Sequence, residues 1–427
     1  MNARHPKVVR ILAIALACGA AYGVDRGLAH ARVASPTKAE SRPLTPSDED
    51  AWLAKNAWTY FEKNRLSSGF VASAAHFPAT TMWDIASQFA GMVATRELGM
   101  LDPAEFDRWM AQALDSIVKL PLYKGELPNK AYNGETMIPT TYGALKERKE
   151  IGFSALDVGR MAIWLEIVQN RYPQHAARCA AVRAHWKVDR LAKDGQLMGT
   201  NLGAGGETWN QEGRLGYEQY GAYGIQKLGL DVHVALDPRL HERDVDVDGI
   251  AVPVDKRDMH DSVAHNYVTS EPYILDGLES GFKALPIEYA GRVLAAQARR
   301  FERTGVITAW SEDNVDQDPW FTYNSIYVDG EAWKTITPAG KDATKYRGSS
   351  VKAAVGWNVL FRTEYTGRLH RGLRWLADPK QGVFAGYYEE TSKPNRALTV
   401  NTNGIVLEAL LYAKVGMPLE QWAKSGK

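Results

Sequence analysis

The sequence predicts one mainly helical domain, built of helical hairpins closed into a ring. Three observations point there. Apolar residues recur at helical spacing from about residue 51 to the C-terminus. No run of alternating strands and no fixed-length repeat interrupts them. The segments between helices are dense in glycine, proline and aromatics, and the unusual polar residues gather at helix starts. A ring of hairpins brings such starts to one face, as a TIM barrel gathers its loops.

The chain of 427 residues begins with Arg4, Lys7 and Arg10 and no acid, then an apolar run over 11–24. That run is short of the roughly 20 residues a membrane helix needs. Ala29-His30-Ala31 supplies a small-residue cleavage pattern. Residues 1–31 therefore read as a signal peptide or short membrane anchor, 32–48 as a Ser-, Pro- and charge-rich linker, and 49–427 as the domain. The expected setting is the periplasm or cell envelope. Cys18 stands in an imperfect lipoprotein-type context, and Cys179 is the one cysteine beyond the signal, so no internal disulfide is expected. The formal net charge of +1 gives no electrostatic case for nucleic acid or an anionic membrane surface. Thirteen tryptophans and nineteen tyrosines tilt towards carbohydrate.

Residues 51–64 form a first amphipathic helix. Thr81-Met82-Trp83-Asp84 opens the second with capping-box spacing, so Asp84 either caps its helix or serves a ligand. Residues 102–120 are a third helix. Ser154-Ala155-Leu156-Asp157 repeats the spacing ahead of an apolar helix, with the same two readings for Asp157. Residues 232–257 alternate in part and suggest a small β-hairpin insertion. Ser270-Glu271-Pro272-Tyr273 starts another helix with a capping serine and an early proline. Residues 382–395 are a Gly- and Tyr-rich loop, and Asn401-Thr402-Asn403-Gly404 caps a final helix over 405–414.

Two stretches join several carboxylates to several aromatics. Residues 207–224 hold Glu207, Glu212 and Glu218 beside Trp209, Tyr217 and Tyr220; residues 308–330 hold Glu312, Asp313, Asp316 and Asp318 beside Trp310 and Trp320. The glycines of the first make it a poor core helix by propensity. Its alternative reading is a Gly-rich loop entering an ordinary helix. Aromatic faces stack on sugar rings while acids do chemistry. In the second, Asn314, Asp316 and Asp318 have calcium-loop spacing, but Pro319 stands where such a loop needs glycine and Ser325 at its twelfth position. No metal or cofactor is expected.

Several stretches, in order, resemble the glucoamylase-like helical toroids of bacterial glucan-processing proteins: Thr80-Thr81-Met82-Trp83-Asp84-Ile85, Ala155-Leu156-Asp157-Val158-Gly159-Arg160, Tyr220-Gly221-Ala222-Tyr223-Gly224 and the segment from Asn401 to Glu408. That group includes the glucoamylase-like domain of cyclic β-glucan synthases and an uncharacterised bacterial domain family of the same type. The resemblance implies an (α/α)6 toroid with its cleft at the N-terminal ends of the inner helices. It further implies a glycoside hydrolase or transglycosylase that acts on a glucan or exopolysaccharide with two carboxylates. Glu212 or Glu218 is then the general acid and Glu312 the base or nucleophile. Asp84 and Asp157 hold sugar hydroxyls, and at least two of Trp83, Trp209, Trp310 and Trp320 are expected to stack on sugar. Tyr217, Tyr220, Glu271, Tyr273, Asp313, Tyr387 and Asn403 complete the expected substrate contacts. A polysaccharide lyase leaning on His260, His265 and Tyr267, and a non-catalytic polysaccharide binder of exopolysaccharide biosynthesis, are the alternatives. The partner is a poly- or oligosaccharide, with membrane contact only through the N-terminal anchor, and the chain is expected to be a monomer.

Overall fold

The structure, a computed structural model, describes residues 37–39, 42–43, 47–260, 262 and 264–426. The expected signal or anchor, with Cys18, lies outside them. The described residues fall in one compact unit. None of its helices is long and apolar enough to cross a membrane.

Thirteen α-helices are present among the described residues: α1 Asp48–Asn64, α2 Met82–Glu97, α3 Pro103–Lys119, α4 Ala155–Arg171, α5 Ala176–His185, α6 Tyr217–Gln226, α7 His233–Leu236, α8 Glu271–Leu275, α9 Ile287–Thr304, α10 Val351–Phe361, α11 Glu364–Leu373, α12 Val400–Val415 and α13 Leu419–Ser425. The even-numbered helices from α2 to α12 form a cycle of neighbours. Each packs on the next, and α12 returns to α2. The odd-numbered helices lie against them, with α1 on α12 and α2, α5 on α4, α9 on α8 and α11 on α10. The patterns explain the sorting. In α2 and α12 buried residues run all round the helix, as an interior helix requires. In α3 they are mainly Phe106, Trp109, Met110, Ala113, Leu114 and Ile117, a single stripe.

The interior helices approach closely because glycines face each other. A Cβ on Gly224 of α6 would lie 2.0 Å from the carbonyl oxygen of Gly159 in α4, and one on Gly159 would lie 2.4 Å from the carbonyl oxygen of Gly221. These are backbone atoms that cannot swing away. The glycines that make residues 207–224 a poor helix by propensity are thus what lets α6 seat on α4. Gly224→Ala should cost at least about 2 kcal/mol, the scale of core overpacking. A thermal melt reads this, and an unchanged midpoint would show that the two helices separate freely.

The strands exceed expectation. Glu242–Val247 and Ile250–Asp255 pair as the predicted insertion hairpin. Among the described residues there are six further small sheets. Two matter for the site: Ala192–Lys193, Gln196–Gly203 and Gly206–Gln211 in one, and Glu312–Asn314, Phe321–Val328 and Glu331–Ile336 in the other. Three of the hairpins turn on Asp-Gly pairs with both residues at positive φ: Asp194-Gly195, Asp248-Gly249 and Asp329-Gly330. That is the backbone of the turn whose twist matches paired strands. Residues 207–224 accordingly divide into a strand, a turn with Gly213 and Gly216 at positive φ, and α6.

Candidate active site

Five of the six even-numbered helices from α2 to α12 follow a Ser or Thr: Thr81, Ser154, Ser270, Ser350 and Thr399. Their first turns meet. The buried Glu271 of α8 accepts from Trp83 Nε1 of α2 at 3.0 Å and from Asn401 Nδ2 of α12 at 3.0 Å. It also pairs with Lys352 Nζ of α10 at 2.5 Å, and that ammonium lies 3.2 Å from Asp313. Arg160 of α4, fully buried, donates to Ser87 Oγ at 2.8 Å and Asn401 Oδ1 at 3.0 Å. Its guanidinium lies over the Trp83 ring at 4.7 Å. Beside it Glu279 accepts from Trp164 Nε1 at 2.7 Å and Tyr220 Oη at 2.6 Å, and Arg160 faces Glu279 and Glu408 at 3.8 and 3.7 Å. Every even-numbered helix thus supplies a polar group to one buried network. Converging helix N-termini favour this concentration of carboxylates.

Next to the network stand further acids. Asp84 completes a capping box with Thr81. Asp157 does not, since only the Ser154 side chain caps α4, which leaves the Asp157 carboxylate beside Ser154 and in the field of Glu212 and Asp84. Glu212 is held on the start of α4 by the Ala155 amide at 2.5 Å. Burial, then the neighbouring carboxylates, pushes Asp157 up to about 7. Burial, opposed by Thr81, puts Asp84 at about 6. Burial also raises Glu212 above the ordinary carboxylate range. Tyr142, 60% exposed, has its hydroxyl in the field of Asp157, Glu212 and Asp84.

Glu312 stands on the other side. It is 5% exposed, its Oε2 accepts from Ser311 Oγ at 2.8 Å, and its Oε1 has no partner. Burial pushes its carboxyl up to about 8, against the pull of Lys352. In the sheet register Glu312 lies directly opposite Tyr323, so the two side chains share a face. The Tyr323 ring stacks on Tyr267 at 3.9 Å and 21°. Tyr267 titrates above its ordinary range through burial, with Glu212 adding to the effect. Of the stacked pair, Tyr323 thus adjoins Glu312 and Tyr267 lies in the field of Glu212.

Other expected site residues have structural duties. Glu218 is 1% exposed, paired with Arg257 and bonded to Gln211 Nε2 at 2.9 Å, and burial, opposed by Arg257, raises its carboxyl above the ordinary range. Glu207 pairs with Lys124 at 2.6 Å and with Arg190. Trp310 is fully buried with its indole on Glu389 at 2.7 Å. Tyr220 and Tyr273 are also fully buried. Asn403 is buried, its side-chain amide bonding the backbone of Val383 and Thr399. Tyr387 donates to the Ile307 carbonyl at 2.9 Å. The core already occupies the faces of Trp310, Tyr220, Tyr273 and Asn403, while Glu207 and Tyr387 are half-buried. Ser270 is not a side-chain cap; its hydroxyl donates to the Trp310 carbonyl at 2.6 Å. Tyr217 stays beside Trp83, ring to ring at 5.6 Å. Trp209 is 36% exposed and Trp320 61%. His260 and His265 pair with Asp258 and Asp329. Asp316 accepts from Tyr388 Oη at 2.6 Å and the Arg396 amide at 2.9 Å. Two open surface depressions, one at Asp194 and His233 and one at Asp50 and His370, are lined by none of these acids.

Sequence reading missed Tyr142, Tyr323, Arg160, Lys352, Glu279 and Glu408. Arg160, Lys352 and Glu408 carry a usable signal: charged residues set among apolar neighbours in a helical run, which are seldom fully buried unless paired.

The raised acids bear on stability. Asp157 and Glu279 near 7 and Glu312 near 8 bind protons in the fold that the unfolded chain, at about 4, has released. Their contribution is complete below the unfolded value and is lost as pH climbs through the folded values. His175, His241 and His370, held low by burial, act oppositely, in the acid range near 6.5 and below. The melting temperature should therefore fall from about pH 6.5 to about pH 9. A rise across that interval in differential scanning calorimetry would contradict the buried acid cluster.

A cycle of paired helices whose starts pool carboxylates and aromatic rings is the arrangement that the resemblance to glucoamylase-like domains leads one to expect. The chain belongs to the family described as protein of unknown function (DUF3131), which matches residues 52–416. No curated protein matches it. Solved structures share the fold at low identity. A Bacteroides caccae protein provisionally assigned as a glucoamylase is 12% identical, with a TM-score of 0.59 over 88% of this chain and 97% of its own. An endo-β-1,2-glucanase of Chitinophaga pinensis, in complex with sophorotriose and glucose, is 11% identical, with a TM-score of 0.59 over 90% and 98%. One from Talaromyces funiculosus, in complex with sophorose, is 12% identical, with a TM-score of 0.57 over 88% and 86%.

Proposed function

We propose that the protein is a glycoside hydrolase or transglycosylase of the cell envelope, acting on a glucan within an (α/α)6 toroid. The cleft lies at the N-terminal ends of the even-numbered helices. The observation that carries this is two buried acids, each acting on one ring of the stacked tyrosine pair and differing in their hydrogen bonds. Glu312 keeps its proton at neutral pH and has an unpartnered oxygen; burial raises Glu212 as well, opposed by the helix-start amide that bonds its ionised form. Glycosidic cleavage needs one carboxyl to protonate the leaving oxygen and one carboxylate to act as nucleophile or activate water. Unlike hydrogen-bonding surroundings, an unpartnered oxygen at Glu312 and a helix-start amide at Glu212, assign these roles. Glu312 is then the general acid and Glu212 its ionised partner, the reverse of the sequence-based assignment. Asp84 and Asp157 hold sugar hydroxyls. Trp83 and Tyr142 border the site.

The solved relatives named for β-1,2-glucan make that polymer the first to try. The experiment incubates purified protein with a panel of β-1,2-, β-1,3-, β-1,4- and α-1,4-glucans and exopolysaccharides. New saturated reducing ends, or transfer products, support the reading. Ends that absorb in the near ultraviolet would mean a lyase, and binding without products would mean an accessory protein.

A further inference from the structure

The turn at 315–320 presents Trp320 in a way the fold itself does not need. The residue sits at φ 68, a left-handed backbone that costs a bulky side chain energy, yet it is 61% exposed. The turn is firmly built. The Trp320 carbonyl accepts from the Val315 amide at 3.0 Å and Asn314 Nδ2 at 3.1 Å, and its amide donates to the Gln317 carbonyl at 2.7 Å. Val315, Ala343, Tyr346 and Tyr388 form a small core of their own here. A large indole is held in water on a fixed backbone.

The strand that begins at Phe321 gives this presentation a direction. Phe321 lies opposite Asn314 and Tyr323 opposite Glu312, so the two rings share the face that carries the acid. They touch edge to face at 5.2 Å, and Tyr323 stacks on Tyr267. Both tyrosines and Phe321 remain partly exposed. Two strand residues span roughly 7 Å, a step of the same order as one sugar unit of a chain. The rings of Phe321, Tyr323 and Tyr267 thus continue to Glu312, and the exposed Trp320 immediately precedes Phe321 in the chain.

We propose that Trp320, Phe321, Tyr323 and Tyr267 form a track that binds a polysaccharide chain beyond the acid centre and feeds it past Glu312, so that long chains are engaged internally. The track rests on the carbohydrate reading above and deepens it. Neutral sugars suit it, because CH faces stack on rings without a charge partner.

Affinity electrophoresis of the Glu312→Gln protein tests this in native gels containing β-1,2-, β-1,3- or α-1,4-glucan, with and without Trp320→Ala. Retardation by at least one polymer is expected, with affinity falling about tenfold, or 1.4 kcal/mol, on removal of the indole. Trp320→Tyr should restore most of it. Truncation at an exposed position leaves the core intact, which far-UV circular dichroism checks. Equal retardation with and without the indole overturns the track, and so does the absence of retardation by any polymer. The two readings fail separately. Retardation lost with Trp320, from a parent protein that cleaves nothing, keeps the track and removes the hydrolase. Cleavage whose chain-length preference survives Trp320→Ala keeps the hydrolase and removes the track.

Discussion

Glu312→Gln should lower turnover at least about 10²-fold on any polysaccharide the parent cleaves, the scale of general acid catalysis. The amide is isosteric and cannot release a proton, so the loss reports chemistry. Glu312 combines near-complete burial, an unpartnered Oε1 and a carboxyl pushed up to about 8. The parent's rate should therefore fall on the alkaline side near pH 8, where this acid ionises. That limb should be missing from whatever activity remains in the variant. Glu212→Gln should be comparably damaging but shift the acid limb, because its partner role needs the ionised form. Glu218→Gln should leave turnover near that of the parent, since its carboxylate is spent on Arg257. Wild-type turnover in folded Glu312→Gln would move the proton-donor role to Asp157, pushed up to about 7.

Arg160→Ala should be the most destabilising single change in the interior. The guanidinium is fully buried between Glu279 and Glu408 and bonded to Ser87 and Asn401. Its removal leaves buried carboxyls without their cation, and breaking such a pair costs about 3–5 kcal/mol. A fall of order 10 °C in the melting midpoint, or loss of soluble protein, is expected. Adding Glu408→Gln should return part of that loss, because it removes one of the two buried carboxyls that Arg160 faces. A single variant that melts within about 2 °C of the parent would show that water reaches the network.

How much of this was legible differs element by element. The caps at Ser154 and Thr81 and the spacing of α2, α3 and α4 were plain, because capping and amphipathicity act within a few turns of chain. The expected one-domain organisation and its ring of hairpins rested on those local signals and on the resemblance. The small sheets were missed even though Asp194-Gly195, Asp248-Gly249 and Asp329-Gly330 announce tight hairpins. Their strands are short and lie among helices, so no long alternation marks them. The acid assignments divide on long-range facts. Glu218 and Glu212 stand close together in one aromatic-rich stretch, yet one is paired with Arg257 from the insertion and the other seated on α4.

The sequence by itself determined where α2 and α4 start, which faces are apolar, and that carboxylates and aromatics concentrate in two distant stretches. Those are local properties of composition and period. By contrast, α12 starts at Val400, before the expected cap at Asn401 to Gly404. Only the tertiary structure decided which of these residues meet and which proton each acid keeps. Trp310 and Tyr273 became core, and Trp320 remained in water. Tyr323 came opposite Glu312 through strand register, and Tyr267 came onto Tyr323 from a separate segment. The physical reason is that burial and electrostatic environment depend on neighbours far away in the chain. A carboxyl near 8 at Glu312 and a carboxylate paired at Glu218 are the same side chain in different surroundings.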